Sequence, residues 1–269
     1  MSERILNDAV YGVTMIENTF LIVPGVGTKK EKTVWSSGVN TWTDFISNDS
    51  VNGISSKLKI KSDLVLTEAC ELLDNGDSRS LGDMLPRGEH WRLFDKFRNN
   101  ASFLDIETNG LERDSLVTVV TVHNKKDTIT LVQGDNLDAE TLSDALEGTS
   151  ILVTFNGSCF DVPVLKNSFP KIDLDMPHYD LRFGCRKVGY TGGLKYIEKT
   201  LGMDRPYDIN DVDGEEAVHL WKLWERKRDK DALDRLIKYN RADTVNLETI
   251  SEIIYKKLVT DYAGFRRYA

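Results

Sequence analysis

The sequence has few of the residues that stabilise secreted or zinc-binding proteins. Only three of its 269 residues are cysteines, and Cys70, Cys159 and Cys185 are too widely spaced for a disulfide framework or a Cys-x-x-Cys metal pair. The four histidines and three cysteines form no cluster of the kind that binds zinc. We therefore expect a reducing, cytoplasmic location and no zinc site.

Long apolar runs and an excess of positive charge are also absent. The N-terminal residues lack the apolar core of a signal peptide, and no run reaches the roughly 18 apolar residues of a membrane span. A net charge of -8 argues against a protein that coats nucleic acid by bulk electrostatics, although it leaves room for a local basic groove. The hydrophobic content of 40% is typical of a soluble globular protein.

The most informative stretch is Phe103–Leu111, which begins with the alternation of a β-strand. Alternation places Asp105 and Glu107 on one face of that strand and Leu104 and Ile106 on the other. Two carboxylates on one face of a mostly buried strand repel each other unless a cation neutralises them. The cation is either a basic side chain on a neighbouring strand or a divalent metal, and a metal predicts further carboxylates elsewhere in the chain.

The order of predicted elements from residue 101 onward is that of an α/β protein. Three strands come first, and helices alternate with a fourth, apolar strand. The predicted strands are 102–107, 116–123, 127–133 and 150–155, with a short strand at 177–180, and the predicted helices are 138–147, 161–168, 193–201, 213–228 and 231–259.

Two further acidic positions follow this first strand. Asp161 lies at or beside the start of a predicted helix, where it is either a metal ligand or an N-cap. Tyr239 and Asp243 are four residues apart in the last helix and share a face, so they form either part of a site or a hydrogen bond at the rim of the core.

Together these positions resemble the three motifs of the DEDD superfamily of 3′→5′ exonucleases. The order is Asp105-x-Glu107, then Asn156-x-x-x-Phe160-Asp161, then Tyr239-x-x-x-Asp243. The tyrosine in the last motif is that of the DEDDy branch. Within it, the sequence is most similar to the YprB-type predicted exonucleases, which are ribonuclease-H-like.

The resemblance implies a ribonuclease-H-like mixed sheet flanked by helices, with the first strand central. It implies hydrolysis of phosphodiester bonds at nucleic-acid 3′ ends with two divalent cations, for which an all-carboxylate site suits Mg²⁺ or Mn²⁺. Asp105 would bridge both cations, Glu107 and Asp243 would complete one site, and Asp161 would act weakly or through water. Tyr239 would orient the attacking water, because a phenol with an ordinary pKa of about 10 is a poor base at neutral pH.

Substrate contacts are predicted from residues that flank the acids. Thr108 and Leu111 would abut the terminal nucleotide of a single-stranded DNA or RNA end, Asn156 and Phe160 would hold or stack its base, and Lys195 would contact phosphate. Lys195 belongs with three other basic residues to a glycine-rich segment, which either contacts phosphates or is a solvated charged loop. The other three are Arg182, Arg186 and Lys187.

The first 50 residues form a separate helical module in this interpretation. Gly25 and Gly27 flank one apolar residue, and Lys29 and Lys30 follow, a pattern that resembles the helix-hairpin-helix motif of DNA-processing proteins. The alternative is an αα-hairpin whose glycines only allow close packing. We expect residues 1–50 to be this module, 51–98 to be a helical connector and 99–262 to be the exonuclease domain.

Two other functions remain open from sequence alone. A nucleic-acid-binding module with little turnover would share this fold, and a structure-selective endonuclease would share the metal chemistry.

Overall fold

A computed structural model describes residues 14–110 and 115–267, with side chains described as far as residue 262. The described residues divide into two compact units, and each is considered by itself. The first comprises residues 14–99 and 256–267, and the second comprises residues 100–255 apart from 111–114. No helix among the described residues combines the length and apolarity that crossing a bilayer requires.

The first unit is helical. Residues 14–27 form turns rather than a helix, so the glycine turn at 24–27 has no helix directly before it within the described residues. Short helices and one long helix follow. Their bounds are α1 Thr28–Ser36, α2 Trp42–Ser47, α3 Ser56–Asp74, α4 Ser78–Asp83 and α5 Phe94–Phe97, with 3₁₀ turns at Arg87–Leu93 and Arg98–Asn100.

A buried acid organises the turns of this unit. Glu31 on α1 is 1% exposed, and its carboxylate accepts hydrogen bonds from the Thr19 hydroxyl at 2.7 Å and the Phe20 N–H at 2.9 Å. The guanidinium of Arg92, also fully buried, lies 3.2 Å from the same carboxylate. Because its charge is paired and hydrogen-bonded, Glu31 is a satisfied structural acid.

The second unit is an α/β domain with a five-stranded sheet. Its strands are β1 Ala101–Thr108, β2 Val117–His123, β3 Thr128–Val132, β4 Ile151–Thr154 and β5 His178–Asp180. Its helices are α6 Ala139–Ala145, α7 Asp161–Ser168, α8 Leu181–Lys187, α9 Leu194–Thr200, α10 Gly214–Lys227 and α11 Lys230–Arg267, the last of which continues into the first unit, and a 3₁₀ turn spans Tyr207–Ile209.

The sheet is mixed and has β1 at its centre. The strand order is β3-β2-β1-β4-β5, with β1 antiparallel to β2 and parallel to β4. The predicted mixed sheet flanked by helices, with its first strand central and a helical region before it, is thereby confirmed. β4 pairs with β1 only over residues 101–103, so the part of β1 that carries the two acids extends beyond its neighbour.

The two faces of the sheet have separate cores. Leu104 and Ile106 of β1 pack with residues of α6 and α7, including Leu142 and Val164. On the opposite face, Val119 of β2 packs with residues of α10 and α11. The alternation of β1 therefore directs its acids toward the face that α10 and α11 cover.

Of the two alternatives left open for the basic residues of the glycine-rich segment, a solvated charged loop is wrong for Arg182, Arg186 and Lys187, because these residues lie in helix α8. Asp180 is its N-cap and accepts the Arg182 N–H. Gly184 in this segment signalled a loop, but the helix packs there against Tyr179, whose ring leaves no room for a Cβ. Close packing, rather than turn formation, is what this glycine provides.

Replacing Leu104 by alanine should destabilise the second unit by about 2–5 kcal/mol, because the side chain is fully buried in one core of the sheet. Leu116→Ala is the matched control, since that side chain is 42% exposed and should cost about 0.5 kcal/mol or less. Urea denaturation measures both. Equal losses would show that β1 does not lie at the centre of the core.

Candidate metal centre

The sheet places Asp105 and Glu107 opposite uncharged residues of β2. Their cross-strand partners on β2 are Thr121 and Val119. Within the described part of the chain, no lysine or arginine forms an ion pair with either carboxylate. The first of the two explanations offered by the sequence, a basic residue on the neighbouring strand, is therefore wrong.

Helix α11 supplies three polar side chains from one stretch. Asp243 is 5% exposed, and Tyr239, one turn earlier, lies close enough to its carboxylate to lower the pKa of Asp243. Asn240 is fully buried and donates from Nδ2 to Oδ2 of Asp105 at 2.7 Å. This last bond fixes the orientation of Asp105 directly from the helix.

Three carboxylates converge as a result. One oxygen each from Asp105, Glu107 and Asp243 lies within 4.8 Å of the other two. The three residues come from a strand and from a helix more than 130 positions later in the chain. A set of three oxygen donors at this separation can hold a hard divalent cation.

Asp161 lies beside this group without belonging to it. It is the first residue of α7, and the N-cap position is occupied by Phe160, whose side chain makes no capping bond. The backbone N–H of Ile106 on β1 lies close enough to the Asp161 carboxylate to lower its pKa. Asp161 is therefore not the N-cap residue that the sequence allowed, and it lies beside β1.

Burial and mutual repulsion raise the pKa values of the β1 acids. The pKa of Asp105 is well above its usual range because of burial first and then the charges of Asp161, Asp243 and Glu107. The pKa of Glu107 is raised for the same reasons, with burial again the largest.

The pKa values of the other two acids are also raised. Burial raises the pKa of Asp161 to about 7, against the hydrogen bonds from the Asp161 and Ile106 N–H groups. Burial also raises the pKa of Asp243 to about 7, although Arg205 opposes the rise. The pKa of the Tyr239 phenol is raised as well, by burial and by the neighbouring carboxylates, so this group stays protonated at neutral pH.

The donor set fits a divalent metal. Asp105, Glu107 and Asp243 provide only carboxylate oxygens, the ligands that Mg²⁺ and Mn²⁺ prefer. The acids outnumber the one guanidinium that pairs with them. Bound cations would remove the repulsion that the site otherwise carries.

Sequence reasoning missed Arg205, Glu198 and Asn240. Arg205 lies in the loop after α9, and its NH2 group is 2.5 Å from Oδ1 of Asp243, while its Nε donates to Glu198 at 2.5 Å. Arg205 and Glu198 have no spacing relation to the acids, so no sequence signal pointed to them. Asn240 could have been found from its position three residues before Asp243, on the same helical face.

The loop before Asp161 is held in a fixed conformation by Asp180. Its carboxylate accepts the N–H groups of Asn156 at 2.8 Å and Ser158 at 3.1 Å. Asn156 adopts a left-handed φ of 68°, and its side-chain oxygen accepts from Arg182 at 2.5 Å. The segment that leads into Asp161 is therefore rigidly connected to β5 and α8.

The other proposed substrate residues lie in varied surroundings. Thr108 is buried and its hydroxyl donates to the Gly110 carbonyl, whereas Leu111 lies outside the described residues. Phe160 packs partly against the core. The Lys195 ammonium lies 5.7 Å from the centre of the Tyr239 ring and donates to the Asn210 carbonyl at 3.1 Å, so this lysine borders the acidic group.

The candidate hairpin residues are in the first unit. Gly25 has a left-handed φ of 89°, which permits the turn, and Gly27 is the extended N-cap of α1. Lys29 is exposed, and the Lys30 ammonium donates to the Gly25 carbonyl at 2.9 Å. Lys30 thus already uses one of its hydrogen-bond donors on the backbone of the turn.

The fold and this site define an α/β protein with a cluster of carboxylates, able to hold a divalent metal, beside the central strand of a mixed sheet. The model of the RNase H superfamily matches residues 102–255, more than half of the sequence, and the chain belongs to this superfamily. Membership suggests metal-dependent cleavage of nucleic acid. A search of curated proteins finds no match.

Solved structures with a similar arrangement are distant in sequence. One, described as the apo form of a nuclease, is 18% identical over 61% of this chain and 76% of its own, with a TM-score of 0.45. Another is the family B DNA polymerase of the hyperthermophilic archaeon Pyrobaculum calidifontis, 12% identical with a TM-score of 0.43. The similarity to the polymerase covers 55% of this chain and 24% of the polymerase.

Glu107→Gln should stabilise the metal-free protein at pH 8, by on the order of 1 kcal/mol, because it removes one of the repelling charges. The folded-state pKa values of these acids exceed the unfolded value of about 4, so the folded protein binds more protons and its stability falls as pH rises toward about 7. The gain should therefore shrink as pH falls and disappear below about pH 3, where the acids are protonated in both states.

Thermal denaturation at both pH values, without and with Mn²⁺, measures this effect. Mn²⁺ should raise the Tm of the wild type more than that of Glu107→Gln, since a ligand that binds only the folded state stabilises it. Glu147→Gln, at an exposed position, is the matched control. A variant that is less stable than the wild type at pH 8 would contradict repulsion at this site.

Proposed function

We propose that this chain is a metal-dependent 3′→5′ exonuclease of the DEDDy type that acts on single-stranded ends of DNA or RNA. The observation that supports it most directly is the meeting of Asp105, Glu107 and Asp243, with oxygens within 4.8 Å and no basic residue paired to the β1 acids among those described. The order of the three motifs supports the direction of digestion and the tyrosine branch.

The acids have distinct roles in this proposal. Asp105, held by Asn240, would be the ligand shared by two cations, and Glu107 and Asp243 would complete the ligands of one of them. Asp161, which lies beside β1, would act on the second cation weakly or through water. Mg²⁺ or Mn²⁺ held by these residues would supply charge stabilisation for in-line displacement at phosphorus.

The remaining side chains bind and orient the reactants. Tyr239 holds the attacking water by hydrogen bonding while its own proton stays on the phenol oxygen. Lys195, close to Tyr239, contributes positive charge toward the phosphate of the terminal nucleotide. Further contacts to that nucleotide come from Thr108, Leu111, Asn156 and Phe160.

Asp105→Asn should reduce cleavage more than about 100-fold, because even residues that only support metal ligands contribute 10–100-fold to affinity or activity. Asparagine keeps the shape of the side chain and removes the charge. The assay uses a single-stranded oligonucleotide with Mn²⁺, labelled in parallel at its 5′ or 3′ end. A 5′ label should give a ladder of shortening products, and a 3′ label should appear at once as mononucleotide.

The same assay separates the alternatives. Asp135→Asn, at an exposed position, is the matched control and should retain full activity. Cleavage of a circular single strand would identify an endonuclease, and binding in a gel-shift experiment without cleavage would identify a binding module. Either result would contradict the exonuclease.

For the first unit we propose that the turn at Gly25 and Gly27 binds a backbone phosphate, with Lys29 and Lys30 adding charge. Lys29→Ala should weaken binding of a long oligonucleotide a few-fold and reduce the slope of log K against log salt by about 1, because one phosphate contact is lost. Fluorescence anisotropy at several salt concentrations measures this, with exposed Lys57→Ala as control. Equal slopes for both variants would leave the αα-hairpin as the explanation.

A further inference from the structure

Arg205 forms a bridge between two buried carboxylates. Its side chain is 4% exposed. Nε lies 2.5 Å from Oε2 of Glu198, and NH2 lies 2.5 Å from Oδ1 of Asp243. A planar guanidinium can hold two carboxylates in a fixed relative orientation, which the point charge of a lysine cannot.

The same guanidinium packs on Tyr239. Its central carbon lies 5.5 Å from the centre of the tyrosine ring, within the range of a cation–π contact. Tyr239 in turn lies close enough to Asp243 to lower the pKa of that carboxyl group. Arg205 therefore touches both residues of the last sequence motif, the metal carboxylate and the tyrosine.

Glu198 is itself held in place. It is 1% exposed, and its second oxygen, Oε1, accepts from Nδ2 of Asn246 at 2.8 Å. Asn246 lies on α11 three residues after Asp243. The contacts thus run from α11 through α9 to Arg205 and return to α11 at Asp243.

The burial of Arg205 argues against a direct contact with substrate. Both terminal nitrogens, NH1 and NH2, are shielded from solvent, so a phosphate oxygen has no access to them without rearrangement. An arginine that binds phosphate needs an accessible fork. The position of this one suits support of its neighbours.

We propose that Arg205, anchored by Glu198, is a positioning residue of the nuclease site. It holds one oxygen of Asp243 so that the other is available to a cation, and it fixes the ring of Tyr239. This inference rests on the proposed function for its kinetic consequences. Its effect on metal binding stands independently of turnover.

The principal test is Arg205→Lys, which keeps the positive charge and loses the planar fork. We expect kcat to fall at least about tenfold with KM within about twofold, since ligand geometry changes while the substrate surface does not. Affinity for Mn²⁺, measured by calorimetry without nucleic acid, should weaken about tenfold or more. Arg235→Lys is the matched control, because Arg235 also pairs with two acids, Asp211 and Glu216, but lies outside the site.

A double-mutant cycle tests whether Arg205 acts through Tyr239. If it does, Arg205→Lys combined with Tyr239→Phe should be no more than about threefold slower than the slower single variant. Multiplication of the two losses would overturn the inference. Melting curves accompany each variant, and Arg205→Lys is chosen because it leaves neither Glu198 nor Asp243 without a nearby cation.

Arg205→Gln tests the alternative that Arg205 weakens metal binding. If Arg205 competes with metal for Asp243, this neutral variant will bind Mn²⁺ more tightly than the wild type, and the positioning role is refuted. Wild-type kcat and Mn²⁺ affinity in Arg205→Lys would also refute it while leaving the nuclease intact. A wild-type protein that cleaves no oligonucleotide would refute the proposed function, and the Mn²⁺ titrations would still decide the role of Arg205.

Discussion

Repulsion among buried and half-buried carboxylates is the constraint on which this structure depends. Asp105, Glu107 and Asp243 share one small region, with Asp161 close enough to affect them, and among the described residues a single guanidinium pairs with the group. Such an arrangement opposes folding, so the apolar cores on both faces of the sheet must stabilise it. A divalent cation is the simplest partner that turns this unfavourable arrangement into a stable one.

Two structural features bring the acids together. β1 extends past the short β4, and the Ile106 N–H on this extended part lies close enough to Asp161 to lower its pKa. Helix α11 then crosses the face to which Asp105 and Glu107 point and presents Asn240 and Asp243 there. The site therefore arises where a central strand, the start of α7 and a long helix meet.

The two units differ in whether an acid has partners for its charge. This difference distinguishes an acid with a structural role from one that is available to a ligand. In the first unit, Glu31 is 1% exposed yet has hydrogen bonds from Thr19 and Phe20 and an ion pair with Arg92. In the second unit, Glu107 faces other acids and has a raised pKa. A satisfied acid holds a fold together, whereas an unsatisfied one is available to a ligand.

The sequence alone determined the elements and the acids, because both depend on local patterns. Alternation over 103–107 identified β1 and the face of its carboxylates, and apolar spacing predicted α7 within the bounds observed. Only the tertiary structure decided which side chains neutralise or support the acids. Arg205 and Glu198 are brought to Asp243 by the path of a loop, and Gly184 serves packing within a helix, so neither periodicity nor motif spacing encodes these contacts. The periodicity of a strand or helix specifies the face on which a residue lies. The residues that contact it from elsewhere in the chain depend on how distant segments pack.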